Sequence, residues 1–180
     1  MEETKQPVMG GMLRPVEGQT VEALLDALKE FIEEDLKDYR LPVKQDGRKD
    51  QPLQRPIEVY SLVMPDPDEK HERIPYILLQ PLNGKDGLTQ GGQSEAETSI
   101  RIVVTLFNRD KREGRLQLLH IIERLRMDLI GKTVIGKTFE LKLPMEWLIY
   151  PDEMEWYHLG EISTTWSLPA PERKVPGLRW

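Results

Sequence analysis

Apolar residues recur at helical spacing in two stretches of the chain. The first stretch follows Thr20, a favoured N-cap residue, and predicts a helix over residues 20–38 because Pro42 prevents its continuation. Its apolar positions lie three or four residues apart and are Val21, Leu24, Leu25, Leu28, Ile32, Leu36 and Tyr39. The second stretch begins with Asp110 as N-cap, has Glu113 three residues later and ends at Gly131. Its apolar stripe is formed by Leu118, Ile122, Leu125 and Leu129.

Alternation of apolar and polar positions predicts strands in the rest of the chain. The clearest strand has one apolar face, formed by Ile100, Ile102, Val104 and Leu106. The other predicted strands cover 57–61, 74–82, 139–143 with a candidate continuation over 147–150, and 156–168. The element order predicts an α+β fold in a single domain over residues 19–170. We expect a mostly antiparallel or mixed β-sheet with two main helices packed on one face.

Three segments contain few large apolar side chains. Residues 1–18 are predicted to form an N-terminal arm, and residues 171–180 are predicted to form a polar C-terminal tail. Residues 83–98 hold four glycines and almost no apolar side chains, so they predict a long loop without regular structure. Such a loop is uncommon in a compact domain and usually has a function or is disordered.

Composition excludes several classes of protein. The 180-residue chain is 38% hydrophobic and 31% charged, which is typical of a globular domain. It contains no cysteine, which excludes disulfides, thiolate nucleophiles and cysteine-ligated metals. Its net charge of −6 argues against a broad phosphate-binding surface. No stretch is apolar enough to span a membrane and the N-terminus lacks signal-peptide features, so we expect folding in the cytoplasm.

The candidate catalytic motifs are weak. Glu140 and Lys142 have the Glu-x-Lys spacing of many Mg²⁺-dependent nucleases, but no convincing upstream aspartate accompanies them. Strand alternation gives the competing interpretation that both side chains simply face water. The three histidines, His71, His120 and His158, have no partners at metal-ligand spacing. The sequence therefore predicts no catalytic residue, no metal site and no cofactor.

Charge differs sharply between the two predicted helices. Residues 20–39 hold seven acids and two bases, whereas residues 109–132 hold seven bases and four acids. One interpretation is that these are solvated helix faces that pair within one chain. The alternative is that the acidic face of one subunit meets the basic face of the next, which closes a ring if the rotation allows. The candidate interface residues are Glu30, Glu33, Glu34, Arg109, Arg112 and Arg115.

Residues 99–171 carry a resemblance to a known family. A strand that reads Ser-Ile-Arg-Ile-Val-Val-Thr-Leu-Phe-Asn precedes a charged helix that contains Arg-Leu-Gln-Leu-Leu-His-Ile-Ile-Glu-Arg-Leu-Arg. Phe-Glu-Leu-Lys-Leu-Pro-Met-Glu-Trp and Tyr-His-Leu-Gly-Glu-Ile-Ser-Thr-Thr-Trp-Ser-Leu-Pro then follow. This arrangement resembles the tail terminator, or tail completion, proteins of tailed bacteriophages, in the form common in phages of Gram-positive hosts.

The resemblance implies a structural role in the virion. Such proteins form a hexameric ring that caps the completed tail tube, stops its polymerisation and offers a surface to neck proteins. The implied partners are further copies of the chain, the tail tube protein, neck or head-completion proteins and, in a contractile tail, the sheath. DNA only passes through the lumen, which we expect to be acidic or mixed in charge, and no membrane is involved. Assembly would take place in the host bacterial cytoplasm, without cofactor or catalysis.

The segment 83–98 provides the candidate contact with a tube or neck protein, through Gly87, Leu88, Gln90, Gly91 and Gln93. Three other interpretations stay open at the level of sequence. The first is a neck or head-closure protein on the head side of the joint. The second is the nuclease based on Glu140, and the third is a small-molecule binding module.

Overall fold

The computed structural model describes residues 20–44, 53–64, 74–151 and 156–170. The predicted arm at 1–18 and tail at 171–180 lie outside these residues. The described elements are α1 (Val21–Asp35), β1 (Arg40–Pro42), β2 (Gln54–Pro56), β3 (Glu58–Ser61), β4 (Tyr76–Leu88), β5 (Ser94–Phe107), α2 (Lys111–Lys132), β6 (Val134–Ile135), β7 (Phe139–Ile149) and β8 (Tyr157–Leu168).

One six-stranded sheet organises the described part of the chain, in the order β3-β4-β5-β8-β7-β6. β3 runs parallel to β4, and the other neighbours pair antiparallel. β1 and β2 form a separate small antiparallel pair. Both helices bury their apolar stripes in a single core on one face of the large sheet. The predicted α+β fold with a mostly antiparallel or mixed sheet is confirmed.

Each helix begins where its capping residue predicts. The Thr20 hydroxyl accepts a hydrogen bond from the Ala23 amide at 3.2 Å, and the Asp110 carboxylate accepts one from the Glu113 amide at 2.9 Å. The first helix ends after Asp35, within the predicted range. The second continues one residue past Gly131, to Lys132, and Thr133 then ends it with a φ of 59°.

Buried hydrogen bonds link the sheet to its core. Trp166 on β8 is fully buried, and its indole Nε1 donates to the Thr164 hydroxyl at 2.9 Å. The Thr164 hydroxyl donates in turn to the Ile100 carbonyl of β5, also at 2.9 Å. These bonds satisfy the polar atoms that the burial of the indole would otherwise leave without partners. They help to fix β8 against β5 at the centre of the sheet.

The prediction of an unstructured loop over residues 83–98 is wrong. β4 continues to Leu88 and β5 begins at Ser94, so these residues form a long antiparallel hairpin with a turn over 89–93. Strand pairing satisfies the backbone amides and carbonyls of this polar, glycine-rich segment that face the partner strand. Most side chains near the tip face solvent on both sides of the hairpin, so the alternation that identifies a half-buried strand is missing.

Candidate functional site

The large sheet has an unpaired strand segment on each side, among the described residues. β3 pairs with β4 only from Tyr76 to Leu79, which leaves residues 80–88 of β4 open; this segment is called the β4 edge. On the other side, β6 pairs with β7 only at Phe139 and Glu140, and residues 143–149 form the β7 edge. Open edges present unsatisfied backbone amides and carbonyls to any strand that approaches.

Among the described residues, five exposed large apolar side chains lie on these two edges and six lie elsewhere. Leu82 and Leu88 on the β4 edge are 54% and 49% exposed. On the β7 edge, Leu143, Trp147 and Leu148 are 67%, 45% and 47% exposed. Isolated exposed leucines are common on protein surfaces, but clusters on unpaired strands are typical of surfaces that bind a partner. The arrangement therefore identifies both edges as candidate interfaces.

A basic cleft lies between the start of α2 and the end of β7. It has a volume of about 730 Å³ and is lined by Lys111, Arg112, Arg115, Leu116, Leu119, Ile149 and Pro151. The Arg115 guanidinium donates to the Pro151 carbonyl at 2.8 Å, which holds this arginine at the cleft wall. The cleft thus combines an apolar floor with positive charge at its rim. Two of the predicted interface residues, Arg112 and Arg115, lie in it.

The third predicted basic residue, Arg109, lies outside the cleft lining. Its guanidinium stands over the indole of Trp156, 5.4 Å from the ring centroid. This contact places it just before the capped start of α2, where it adds to the positive charge of that end of the molecule. The structure therefore brings the three predicted arginines to one end of α2.

The predicted acidic residues lie on the exposed side of α1. Glu30 and Glu34 line a second groove together with Lys132 and Lys137, which lie just before and just after β6. Glu33 contacts Lys29 at 3.9 Å, and Glu34 accepts a hydrogen bond from Lys37 at 2.5 Å. Glu30, Glu33 and Glu34 together are called the acidic patch.

The structure does not bring the acidic patch and the basic cleft together within one chain. The cleft lies at the N-terminal end of α2, whereas the groove of the acidic patch includes Lys132 at the C-terminal end. α2 has 22 residues and is therefore about 33 Å long. The two charged surfaces therefore lie toward opposite ends of this helix.

A different ion pair joins the two helices. Both Nε and Nη2 of Arg124 donate to the Asp35 carboxylate, at 3.0 and 2.9 Å. This hydrogen bond and the Asp35 charge raise the pKa of Arg124. Asp128 lies 3.6 Å from Arg124, and its own pKa is raised, chiefly by a hydrogen bond to Asp35 and then by burial. Pairing between the helices within one chain therefore occurs, but through Asp35 and Arg124 rather than through the predicted interface residues.

The five predicted contact residues of segment 83–98 lie at the tip of the hairpin. Gly87 and Leu88 end β4, and the turn follows with Gln90 and Gly91. Backbone bonds close the turn: Thr89 donates to the Gln93 carbonyl at 2.8 Å, and Gly92 donates to the Thr89 carbonyl at 2.9 Å. The predicted contact segment is therefore an ordered strand-and-turn element with little apolar surface besides Leu88.

The sheet face opposite the helices carries a mixed set of charges at its centre. Arg101 donates to the Gln80 side chain at 2.7 Å and lies 3.8 Å from the Glu161 carboxylate. Glu161 also accepts a hydrogen bond from Tyr150 at 2.9 Å, and this bond raises the pKa of Tyr150. The strand register places Glu146 beside Ser163 on this same face. A polar network of this kind resists dehydration, so this face is suited to contact water.

The residues considered for catalysis do not assemble into a metal site. Glu140 and Lys142 are partly or fully exposed and form an ion pair at 3.2 Å. Within the described ranges, no group of three histidine, aspartate or glutamate side chains is placed to hold a metal ion. His158 is fully buried with its Nε2 3.2 Å from the Asn108 carbonyl, His120 is exposed on α2, and His71 lies outside the described residues.

Comparison with known proteins adds no further constraint. No protein-family model matches the sequence, and a search of curated proteins finds no significant relative. In the described part of the chain, neither helix is long and apolar enough to cross a membrane.

Sequence reasoning missed the two open edges. The pattern predicts a strand over 139–143 with a continuation over 147–150, but it does not indicate that one side of this strand is unpaired. Strand order depends on contacts between distant segments, which alternation alone does not reveal. The available signal was the cluster of large apolar residues around Pro144, since proline in a strand is typical of edges and bulges.

Proposed function

We propose that this protein is a phage tail terminator, a ring-forming structural protein that caps the completed tail tube and offers a surface for head attachment. The observation that carries the proposal is the placement of the basic cleft and the acidic patch at opposite ends of α2. Surfaces of opposite charge toward the two ends of α2 attract copies of the chain head to tail rather than face to face. The resemblance of residues 99–171 to tail terminators supports the inference that such a ring caps a phage tail tube.

A head-to-tail contact has a defined consequence for assembly. Each copy uses one surface to bind the copy before it and a different surface to bind the copy after it. If the rotation between neighbours closes, the product is a ring with two unlike sides. A terminator needs this property, because one side must match the last ring of the tube while the other must not recruit more tube protein.

The face of the sheet opposite the helices fits the lumen of such a ring. Its central network contains Arg101 and Glu161, so positive and negative charges alternate there. A strongly basic lumen would hold DNA phosphates through released counterions and slow the passage of the genome. A mixed surface lets DNA pass.

Electron microscopy of particles assembled without this protein tests the proposal. Loss of a terminator predicts tail tubes of uncontrolled, excess length without heads. Loss of a neck or head-closure protein predicts tails of normal length that fail to join heads, and this result would contradict the proposal. Complementation with the wild-type chain is the control for both outcomes.

A charge-swap experiment tests the contact itself. The double variant Arg112→Glu/Arg115→Glu is expected to prevent ring formation, because its reversed cleft repels the acidic patch of the next copy. Adding Glu30→Lys/Glu34→Lys should restore rings, as measured by light scattering and by microscopy of capped tubes. Failure of this rescue with correctly folded chains would argue against the head-to-tail contact between these surfaces.

A further inference from the structure

The backbone of the β4 edge has free hydrogen-bonding groups at alternate residues. Thr89 donates to the Gln93 carbonyl, so the alternation of an antiparallel pair turns Gly87 and Lys85 toward β5. The amides and carbonyls of Gly84, Asp86 and Leu88 consequently point away from β5, to the outside of the sheet. Among the described residues no strand pairs with these three on that outer side, so they form an unpaired row along the hairpin.

The β7 edge has a matching row. Tyr150 donates to the Leu159 carbonyl of β8, and the register then turns Leu148 and Glu146 toward β8 as well. The backbone groups of Trp147 and Ile149 therefore point outward, whereas Met145 lies within the register shift between Lys142 and Glu146. The two outward residues of β7 have the same spacing along the strand as Gly84 and Asp86 of the β4 edge.

Strand directions make the two rows compatible. β4 and β8 both run antiparallel to β5, and β7 runs antiparallel to β8, so β4 and β7 run in opposite directions in the sheet. The two edges lie at different heights along the sheet, because Asp86 lies beside Ala96 whereas Trp147, through Ile162, is level with Ile102, about 20 Å further along β5. A second copy rotated about an axis inclined to the strands, as strands are inclined in a closed barrel, accommodates this offset. Its β4 edge then meets the β7 edge of the first copy in the antiparallel sense.

Side chains on the two rows also match. The register places Asp86 beside Ala96 and Leu88 beside Ser94, on the same face of the sheet as the helices. Trp147, opposite Ile162, lies on that face too, and Ile149 forms part of the basic cleft. A strand added along β7 would bring Leu88 to exposed apolar surface and the Asp86 carboxylate toward Arg112 and Arg115.

We propose that successive copies join by strand addition, with residues 84–87 of one copy paired antiparallel to residues 146–149 of the next. The partner is thus a second copy of this chain, and its hairpin completes the open edge of the neighbour. This inference rests on the proposed ring and defines how its subunits are connected. The predicted hairpin contacts and the predicted basic interface then belong to the same contact between two copies, although the sequence predicts them as separate sites.

A proline pair tests the backbone contact. Asp86→Pro removes an outward N–H, which a solvent-facing edge tolerates in a folded monomer but which strand addition requires. Val21→Pro is the control, because it places proline at the first position of α1, where proline is favoured, and Thr20 before it is already extended. We expect Asp86→Pro to lower the assembled fraction at least tenfold and Val21→Pro to leave it unchanged, with both chains folded by circular dichroism.

Disulfide trapping provides an independent measurement. The chain has no cysteine, so Asp86→Cys combined with Trp147→Cys introduces the only two thiols. Within one copy these positions lie about 14 Å apart across the sheet and about 20 Å apart along it, which is too far for a disulfide. Oxidation should therefore link different copies into a ladder of covalent oligomers on a non-reducing gel. Each single variant should stop at dimers.

The outcomes separate this inference from the proposed function. Rings that persist in Asp86→Pro, together with an absence of the covalent ladder, would overturn strand addition while the ring itself stands. A wild-type chain that forms no ring even on tail tubes would overturn both proposals. Loss of rings in Asp86→Pro together with the ladder in the double-cysteine variant supports strand addition.

Discussion

Replacement of Gly114 by alanine should destabilise the protein, although alanine is the better helix former. Gly114 is buried in α2, and a Cβ atom at this position would lie 2.1 Å from Nε2 of His158 and 2.4 Å from its Cδ2. His158 is itself fully buried on β8, with Nε2 3.2 Å from the Asn108 carbonyl. Neither the ring nor the helix can move without disturbing the core.

The expected size of the effect follows from three contributions. Alanine in place of glycine inside a helix stabilises by about 1 kcal/mol. Overpacking of a buried contact costs about 1–3 kcal/mol, and loss of the hydrogen bond between His158 and Asn108 costs about another 1 kcal/mol. The free energy of unfolding should therefore fall by about 1–3 kcal/mol. For a chain of this length the melting temperature should drop by about 2–4 °C for each kcal/mol.

Gly131 provides the matched control in the same helix. A Cβ atom there meets no other atom within 4 Å, so Gly131→Ala should raise the free energy of unfolding by about 0.5–1 kcal/mol. Urea unfolding followed by circular dichroism measures both variants. In a His158→Ala background the clash disappears, and Gly114→Ala should then become stabilising. If Gly114→Ala stabilises the chain with His158 present, the packing argument is wrong.

Two further predictions concern the contacts of α2. A Cβ atom on Gly160 would lie 2.6 Å from Cδ1 of Ile122. Gly160→Ala should therefore lower the urea midpoint by an amount equivalent to about 1–3 kcal/mol. An unchanged midpoint would contradict the close contact between α2 and the sheet. The pKa of Asp128 is raised, so the protonated carboxyl stabilises the folded state. This stabilisation is complete at pH values below the ordinary aspartate pKa, and it is lost as pH rises through the raised pKa of the folded state. An asparagine amide can donate to the Asp35 carboxylate at every pH, so Asp128→Asn should have a higher free energy of unfolding than wild type at pH 7. This difference should shrink in acid. A difference independent of pH would refute the proposal that a proton on Asp128 forms the hydrogen bond to Asp35.

The helices and the central strands could be predicted because their local signals agree with their burial. Thr20 and Asp110 cap the helices in sequence and in structure. The alternation from Ile100 to Leu106 identifies a strand whose alternate positions are buried against the helices. Capping and periodicity depend on neighbouring residues, so a single sequence contains the information.

The hairpin and the open edges could not be predicted for the opposite reason. Residues 84–88 contain two glycines and two charged residues, so no buried face marks them as a strand. Their pairing with β5 is a consequence of the turn that Gly92 permits with a φ of 77°. Whether a strand lies at the edge of a sheet depends on the whole strand order, which a local pattern does not contain.

The bulges lie at positions that limit each open edge to pairing with a single added strand. The register of β4 shifts between Pro81 and Asn83, and the register of β7 shifts between Lys142 and Glu146, next to Pro144. Proline lacks an amide hydrogen and a bulge bends the strand, so a strand added to the outer side of either edge cannot stay in register past that point. A long uniform edge would accept strands in several registers and lead to fibres. Edges interrupted in this way favour a single register, and a single register is what a head-to-tail contact needs to repeat the same rotation until a ring closes.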